Sequence, residues 1–338
     1  MNSHQLASEK ELAADVESFS HNYSLIRDEI GQVIVGMDEV VRGTLSAIFA
    51  GGHVLLEGVP GLGKTLLVKS IARALGLSFK RIQFTPDLMP SDVTGTQVLS
   101  EDESGKRSFI FKHGPIFANI VLADEINRAT PKTQAALLEA MEEKQVTVLG
   151  DTHRLEQPFF VLATQNPVEL EGTYPLPEAQ LDRFLVKLLL KTPDSESLKT
   201  ILTRTTGSSI PQSESVFASN SDGTQKIEAM KALVRRVLAA DPLLEILVRV
   251  ISALTPGNEF ATKKVNQYVR FGPGPRGAQA VMMLAKVNAL LDQRVNISFV
   301  DIRDALLPAL RHRLVLNFHA EADGITSDDI IAEVQNAK

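Results

Sequence analysis

Apolar positions recur with two different periods along this chain, and the point where the period changes divides it in two. Residues 8–31 set Leu12, Val16, Phe19, Tyr23 and Ile26 along one face, the three-to-four spacing of an amphipathic helix. After a QVIVG stretch, a second helix is predicted over 38–50. From there to residue 190, short apolar runs at 53–57, 79–84, 118–125, 159–165 and 184–190 predict strands, with helical stretches between them. Continuous apolar strands alternating with helices predict a parallel sheet covered by helices. Residues 95–111 and 145–156 break that pattern with alternating runs around turn residues. Both predict β-hairpins, the second turning on Gly150-Asp151. Thr130 can cap, and Pro131 can open, the helix PKTQAALLEAMEE, since proline suits a first helical position.

Residues 205–225 are polar and serine-rich and read as a long loop. Beyond them the period is helical: about 226–239, 242–254, 276–294, 299–315 and 326–336. Ser298 with Asp301, and Thr326 with Asp329, have capping-box spacing with Asp in place of Glu. The predicted organisation is an α/β domain with N-terminal helices (1–192), a connecting segment (193–225) and an all-α domain (226–338).

Composition narrows the class. At 338 residues, 44% hydrophobic and 22% charged, the chain is ordinary for a soluble protein of about two domains. It has no Cys, which excludes disulfides and thiol nucleophiles. The polar, acidic N-terminus is unlike a signal peptide, and no apolar run approaches the ~18 residues of a membrane span. A cytoplasmic location is therefore expected. The net charge of −6 argues against nucleic acid as a main partner. The seven histidines show no ligand-like clustering, so no metal beyond one carried by a nucleotide is expected.

Candidate chemistry begins at residues 53–65, HVLLEGVPGLGKT. A strand, a glycine-rich turn and Lys64-Thr65 opening a helix make the Gx₄GK[ST] phosphate-binding loop. Its backbone N–H groups cradle β- and γ-phosphates, Lys64 reaches phosphate oxygens, and the Thr65 hydroxyl ligands Mg²⁺. The helix N-terminus behind it favours anions. This pattern reads as a nucleoside triphosphate site. Asp124 and Glu125 end a buried strand 60 residues after Lys64. Asp124 is placed to hold Mg²⁺ from the second sphere and Glu125 to orient or deprotonate a water. Asn166 ends the next strand; it is either a site residue beside Glu125 or part of an Asn-Pro turn. Arg183 and Arg276 are ordinary surface residues by spacing alone, although a hydrolytic transition state needs cations at the γ-phosphate oxygens.

GVPGLGKT, VLADEINRA, ATQNP, EGTYPLPEAQLDRF and FGPGPRG, in this order and spacing, resemble the AAA+ ATPases of the MoxR family over about residues 30–320. The resemblance implies an AAA+ P-loop NTPase core with two β-hairpin inserts, followed by an all-α lid. It implies ATP and Mg²⁺ held by Gly58, Val59, Pro60, Gly61, Leu62, Gly63, Lys64, Thr65 and Leu66, with Val35 and Gly36 near the adenine. Thr65 and Asp124 would be the Mg²⁺ residues and Glu125 the catalytic carboxylate. Asn166 would be sensor 1. Arg276 would be sensor 2, acting within its own subunit, and Arg183 an arginine finger acting on the neighbouring subunit. A ring, a hexamer by analogy, follows. Met37, Thr130 and Gly274 depart from the usual Gln, Pro and Ser of the family, and none of these removes a catalytic group.

The function implied is chaperone-like remodelling or maturation of partner protein complexes, including metal insertion, with a separate VWA-domain partner and a client. Two other classes fit an intact nucleotide site. One is a nucleotide-switched regulatory scaffold. The other is a nucleic-acid motor, disfavoured by the acidic balance and the absence of Trp.

Overall fold

In the computed structural model, residues 3–101, 105, 107–167, 172–207 and 211–336 are described. The tip of the first hairpin and parts of the loops at 168–171 and 208–210 lie outside them.

Two helices, α1 (Ser3–Val33) and α2 (Asp38–Phe49), precede the sheet. The first half continues through β1 (His53–Glu57), α3 (Lys64–Ala74), β2 (Phe79–Gln83), α4 (Pro90–Thr94), β3 (Gly95–Glu101), β4 (Arg107–His113) and β5 (Ile120–Asp124). It is completed by α5 (Pro131–Glu143), β6 (Gln145–Val148), β7 (Asp151–Arg154), β8 (Phe160–Gln165), α6 (Glu178–Leu181) and β9 (Phe184–Leu189). Five strands form one parallel sheet in the order β2-β5-β8-β1-β9. The inner strands are buried on both faces, which is why they read as unbroken apolar runs. The edge strand β2 carries the exposed Lys80 and Arg81, charges that discourage further pairing.

Alternate strand residues feed opposite layers. Val54, Leu56, Leu122 and Leu162 join Phe19, Ile26, Ile30, Leu45 and Ile71 of α1–α3. Leu55, Val121 and Val161 face Leu137, Leu138 and Met141 of α5.

The second half contains α7 (Ser195–Thr205), α8 (Asn220–Arg236), α9 (Asp241–Ala253), α10 (Lys263–Tyr268), β10 (Val269–Phe271), α11 (Pro275–Leu291), α12 (Phe299–Leu310), β11 (Val315–Leu316), α13 (Phe318–Ala322) and α14 (Ser327–Asn336). It is helical apart from the short antiparallel β10–β11 pair. Its core residues, among them Leu284, Leu290, Ile302 and Leu306, belong to the same apolar cluster as α1–α3. Both capping boxes form: Asp301 accepts from Ser298 N (2.6 Å) and Asp329 from Thr326 N (2.9 Å).

Three local expectations change. The loop expected over 205–225 is shorter, because Ser219 caps α8 by accepting from Asp222 N and the helix starts at Asn220. A Ser/Asn/Asp/Gly run suits caps as well as loops. The second hairpin turns on Leu149-Gly150, both with positive φ, the backbone twist that a two-residue turn requires. Thr130 precedes α5 without a side-chain capping bond.

The two hairpins, β3–β4 and β6–β7, lean on each other. His153 of β7 stacks on Phe111 of β4 (3.8 Å between ring centres), and His113 stacks on Phe117 (4.2 Å). Gln97 adds a hydrogen bond to Asp151 (3.1 Å).

Buried histidines fasten the N-terminal ends of β1 and β9. His53 Nδ1 accepts from Val161 N (2.9 Å), so the proton sits on Nε2, which faces Met141 O at 3.2 Å. Burial pushes His53 down to about 4 and His312 to about 3. The unfolded chain therefore takes up protons first, and stability present above pH 6.5 is lost as pH falls toward 4. His53 alone accounts for roughly 3 kcal/mol over that interval. Denaturant unfolding at pH 7 and pH 4.5 should show this loss, and His53→Gln should be weaker at pH 7 but visibly flatter with pH. An unchanged pH slope in the variant would show that His53 is not the group responsible.

Candidate nucleotide site

The phosphate loop leaves β1 at Glu57 and ends where Lys64 begins α3. Gly61 and Gly63 adopt φ of +84° and +77°, a left-handed region costly for other residues. Gly58 is needed for closeness instead: a Cβ there would lie 2.8 Å from Leu190 Cβ. Lys64 is buried and folds back across the loop to donate to Gly58 O (2.6 Å). Thr65 is half-buried in the first turn of α3, while Val59 and Leu66 are exposed.

Strand order brings the carboxylates beside this loop. β8 lies between β5 and β1, and Gly58 N donates to Gln165 O (3.2 Å). Buried Asn166, the next residue, thus sits between the loop and the end of β5. The Thr164 hydroxyl organises both acids: it donates to Asp124 Oδ1 (2.7 Å) and accepts from Glu125 N (2.8 Å). Asp124 Oδ2 also accepts from Arg81 Nε (3.0 Å) and Nη2 (2.7 Å). Glu125 has φ of +57°, a strained conformation for a residue with a side chain. Its Oε2 accepts from Gln83 (2.8 Å) and Arg128 (3.0 Å).

The exit of β9 closes the other flank. Leu190 packs on Gly58, and a Cβ on Gly36 would meet Ser197 Oγ of α7 at 2.7 Å. Arg204 of α7 donates to Gly31 O and Gln32 O, so the Val35-Gly36 linker is held by the start of the second half. The donor set fits a Mg²⁺–nucleoside triphosphate: a glycine-rich cradle, one ammonium, one hydroxyl and two carboxylates at the end of β5, one strand removed from β1.

The two arginines stand elsewhere. Arg183 precedes Phe184, which pairs with His53 at the start of β1. The five residues of β1, at about 3.3 Å each, put it about 16 Å from the phosphate loop. Arg276, in the first turn of α11, is at the same end: Glu142 takes Nη2 of Arg183 at 3.1 Å and Nη2 of Arg276 at 2.7 Å. Asp182 lies 3.7 Å from Arg276 and 2.7 Å from Nε of Arg313. Buried Arg313 also donates to the carbonyls of Asp182, Phe184, Leu185 and Ala309, so the second half is docked on the N-terminal end of β9. Contact between Arg276 and the phosphate loop of its own subunit does not fit this placement. The arginines line an open cleft of about 300 Å³ with Gly52, Glu142 and Arg313.

Residues 53–186 match the model of the "ATPase family associated with various cellular activities (AAA)" and residues 261–334 that of the AAA lid domain. The chain is 39% identical to Chaperone MoxR1 of Mycobacterium tuberculosis, over 96% of this chain and 82% of that one. The chain belongs to the MoxR family of AAA+ ATPases. It is 44% identical to YeaC of Bacillus subtilis over 92% of each chain. A crystal structure from Cytophaga hutchinsonii superposes with a TM-score of 0.87 at 39% identity, covering 98% of this chain and 97% of that one. Residues 261–334 are accordingly the lid, and the AAA+ core with a helical lid is the fold. Among the described residues no helix is long and apolar enough to cross a membrane.

Sequence reasoning missed Arg81, Gln83, Arg128 and Glu142. Arg81 and Gln83 could have been found from strand register, since Gln83 pairs with Asp124. Thr164 holds the Asp124 carboxylate and the Glu125 backbone N–H, so Thr164→Val should slow ATP turnover about 10–100-fold, the usual cost of losing a partner that orients a metal-site ligand. Nucleotide affinity should stay within about threefold, since Thr164 is not part of the cradle. Steady-state phosphate release and a nucleotide-binding titration test this, and unimpaired turnover would remove Thr164 from the site.

Proposed function

We propose that this MoxR protein hydrolyses ATP in an oligomeric ring, a hexamer by family analogy, in which Arg183 and Arg276 of one subunit complete the nucleotide site of the next. The observation that carries this is the separation itself. Phosphate loop and carboxylates stand at one end of β1, and both arginines stand together at the other, about 16 Å away.

In this reading Lys64 and the loop N–H groups hold the phosphates, with Gly36 and Val35 flanking the base. Thr65 and Asp124 would hold Mg²⁺, which would screen phosphate charge when bound. Glu125 takes a proton from, or orients, the attacking water, and Asn166 fixes the group beside it. The neighbour's Arg183 and Arg276 face charge developing on the transferred phosphoryl group. The cycle would drive remodelling or maturation of a client protein complex in the cytoplasm, metal insertion among the tasks, with a separate VWA-domain chain as adaptor. The relative named as a chaperone supports that use.

Lys64→Ala should lose nucleotide binding. Glu125→Gln should keep it but hydrolyse about 10²–10⁴-fold more slowly. An arginine finger contributes about 10³–10⁵ in rate, or roughly 4–7 kcal/mol, so turnover per subunit should collapse on dilution. Inactive Lys64→Ala and Arg183→Ala proteins should regain turnover when mixed, because each supplies the half the other lacks. Turnover independent of subunit concentration, with no recovery on mixing, would overturn the shared site.

A further inference from the structure

Five charged side chains at the arginine end alternate in sign: Arg183, Glu142, Arg276, Asp182 and Arg313. They come from four places in the fold: the last turn of α5, the segment before β9, the first turn of α11 and the residues after α12. Three of the five have other anchors: Arg313, Asp182 and, through Leu138 O, Arg183. Arg313 is buried on four carbonyls, and Asp182 is held by it. Glu142 is different. Its Oε2 meets Arg183 and its Oε1 meets Arg276, so its carboxylate spans the two guanidiniums.

Without the shared carboxylate, two guanidiniums that both reach it would repel, and each long side chain regains its rotamers. Arg183 also donates to Leu138 O, one turn earlier on α5, so the helix that carries Glu142 already fixes the direction of one arginine. Arg276 has no such backbone bond among the described contacts; its orientation rests on Glu142 and, more distantly, Asp182.

We infer that Glu142 is a positioning residue. It presents Arg183, from the core, and Arg276, from the lid, as a single dication to an anionic group of the neighbouring subunit. This rests on the shared-site reading above. Glu142 touches neither the phosphate loop nor the acids at Asp124 and Glu125, and it is 41% exposed. Substitution should therefore leave folding and the subunit's own nucleotide binding intact. Because Glu142 acts only by holding a pair, its loss matters only while both arginines are present.

The test is single-turnover hydrolysis of labelled ATP by assembled protein, for Glu142→Gln in two backgrounds. In the otherwise wild-type chain, Glu142→Gln should slow hydrolysis about tenfold, within the range for a displaced catalytic group. Binding of a fluorescent ATP analogue and the thermal midpoint should be unchanged. In the Arg276→Ala background the same substitution should cost less than about threefold, since no pair remains to be held. Equal losses in both backgrounds would mean a general structural role and overturn the inference. So would unchanged hydrolysis, and so would faster hydrolysis, which would make Glu142 a competitor for the arginines. If Arg183→Ala and Arg276→Ala are themselves fully active, the shared-site reading fails first. If they are inactive while Glu142→Gln behaves as wild type, only the present inference fails.

Discussion

A five-residue strand separates the phosphate loop from the paired arginines. In a parallel sheet every strand points its C-terminal end the same way, so loops that bind phosphate gather along one edge. The phosphate loop, Glu125 and Asn166 follow strand ends on that edge, and Asp124 is the last residue of β5. Arg183 enters the same sheet from the opposite edge, and Arg276 is brought to it by the lid. Neither can turn around without reversing β9 or undocking α11. The fold thus holds complementary charge at two ends of a rigid body.

The lid is fixed to that body by unlike forces. An apolar cluster runs without interruption from α1–α3 into α11 and α12. Beside it the Arg313 guanidinium is pushed down by burial and held up by Asp182, with backbone carbonyls taking the remaining N–H groups. A buried charge of this kind contributes little net stability when fully satisfied, yet removing its partner is costly. Its value is directional, because greasy contacts alone tolerate sliding. The same contrast holds at the nucleotide end, where one Thr164 hydroxyl fixes the Asp124 carboxylate and the Glu125 backbone while apolar strands supply the support.

Much of this was legible in sequence where the information is local. The phosphate loop is contiguous, and strand-then-acid at Asp124-Glu125 is a short pattern. The hairpins announce themselves by alternation. The start of α8 was hidden because Ser219, Asn220, Asp222 and Gly223 suit loops and caps alike. The side on which Arg276 lies was not legible at all, since it depends on where the lid docks, and Arg313 reaches Asp182 across 131 positions of chain. Glu142 reads as one more charge near a helix end until its two partners, 41 and 134 positions away, are seen around it. Spacing reveals a residue type that chemistry needs, whereas the face it is used on is a property of tertiary packing.

The stacked rings between the hairpins have a mechanical consequence. Phe111 lies on His153 and His113 on Phe117, so neither β3–β4 nor β6–β7 bends alone without opening an aromatic contact. The second hairpin is also rooted directly in the end of α5, through the left-handed residue Lys144. The start of α5 follows the turn that carries Glu125. A shift of that turn would be passed along one helix to the second hairpin, and through the stacked rings to the first.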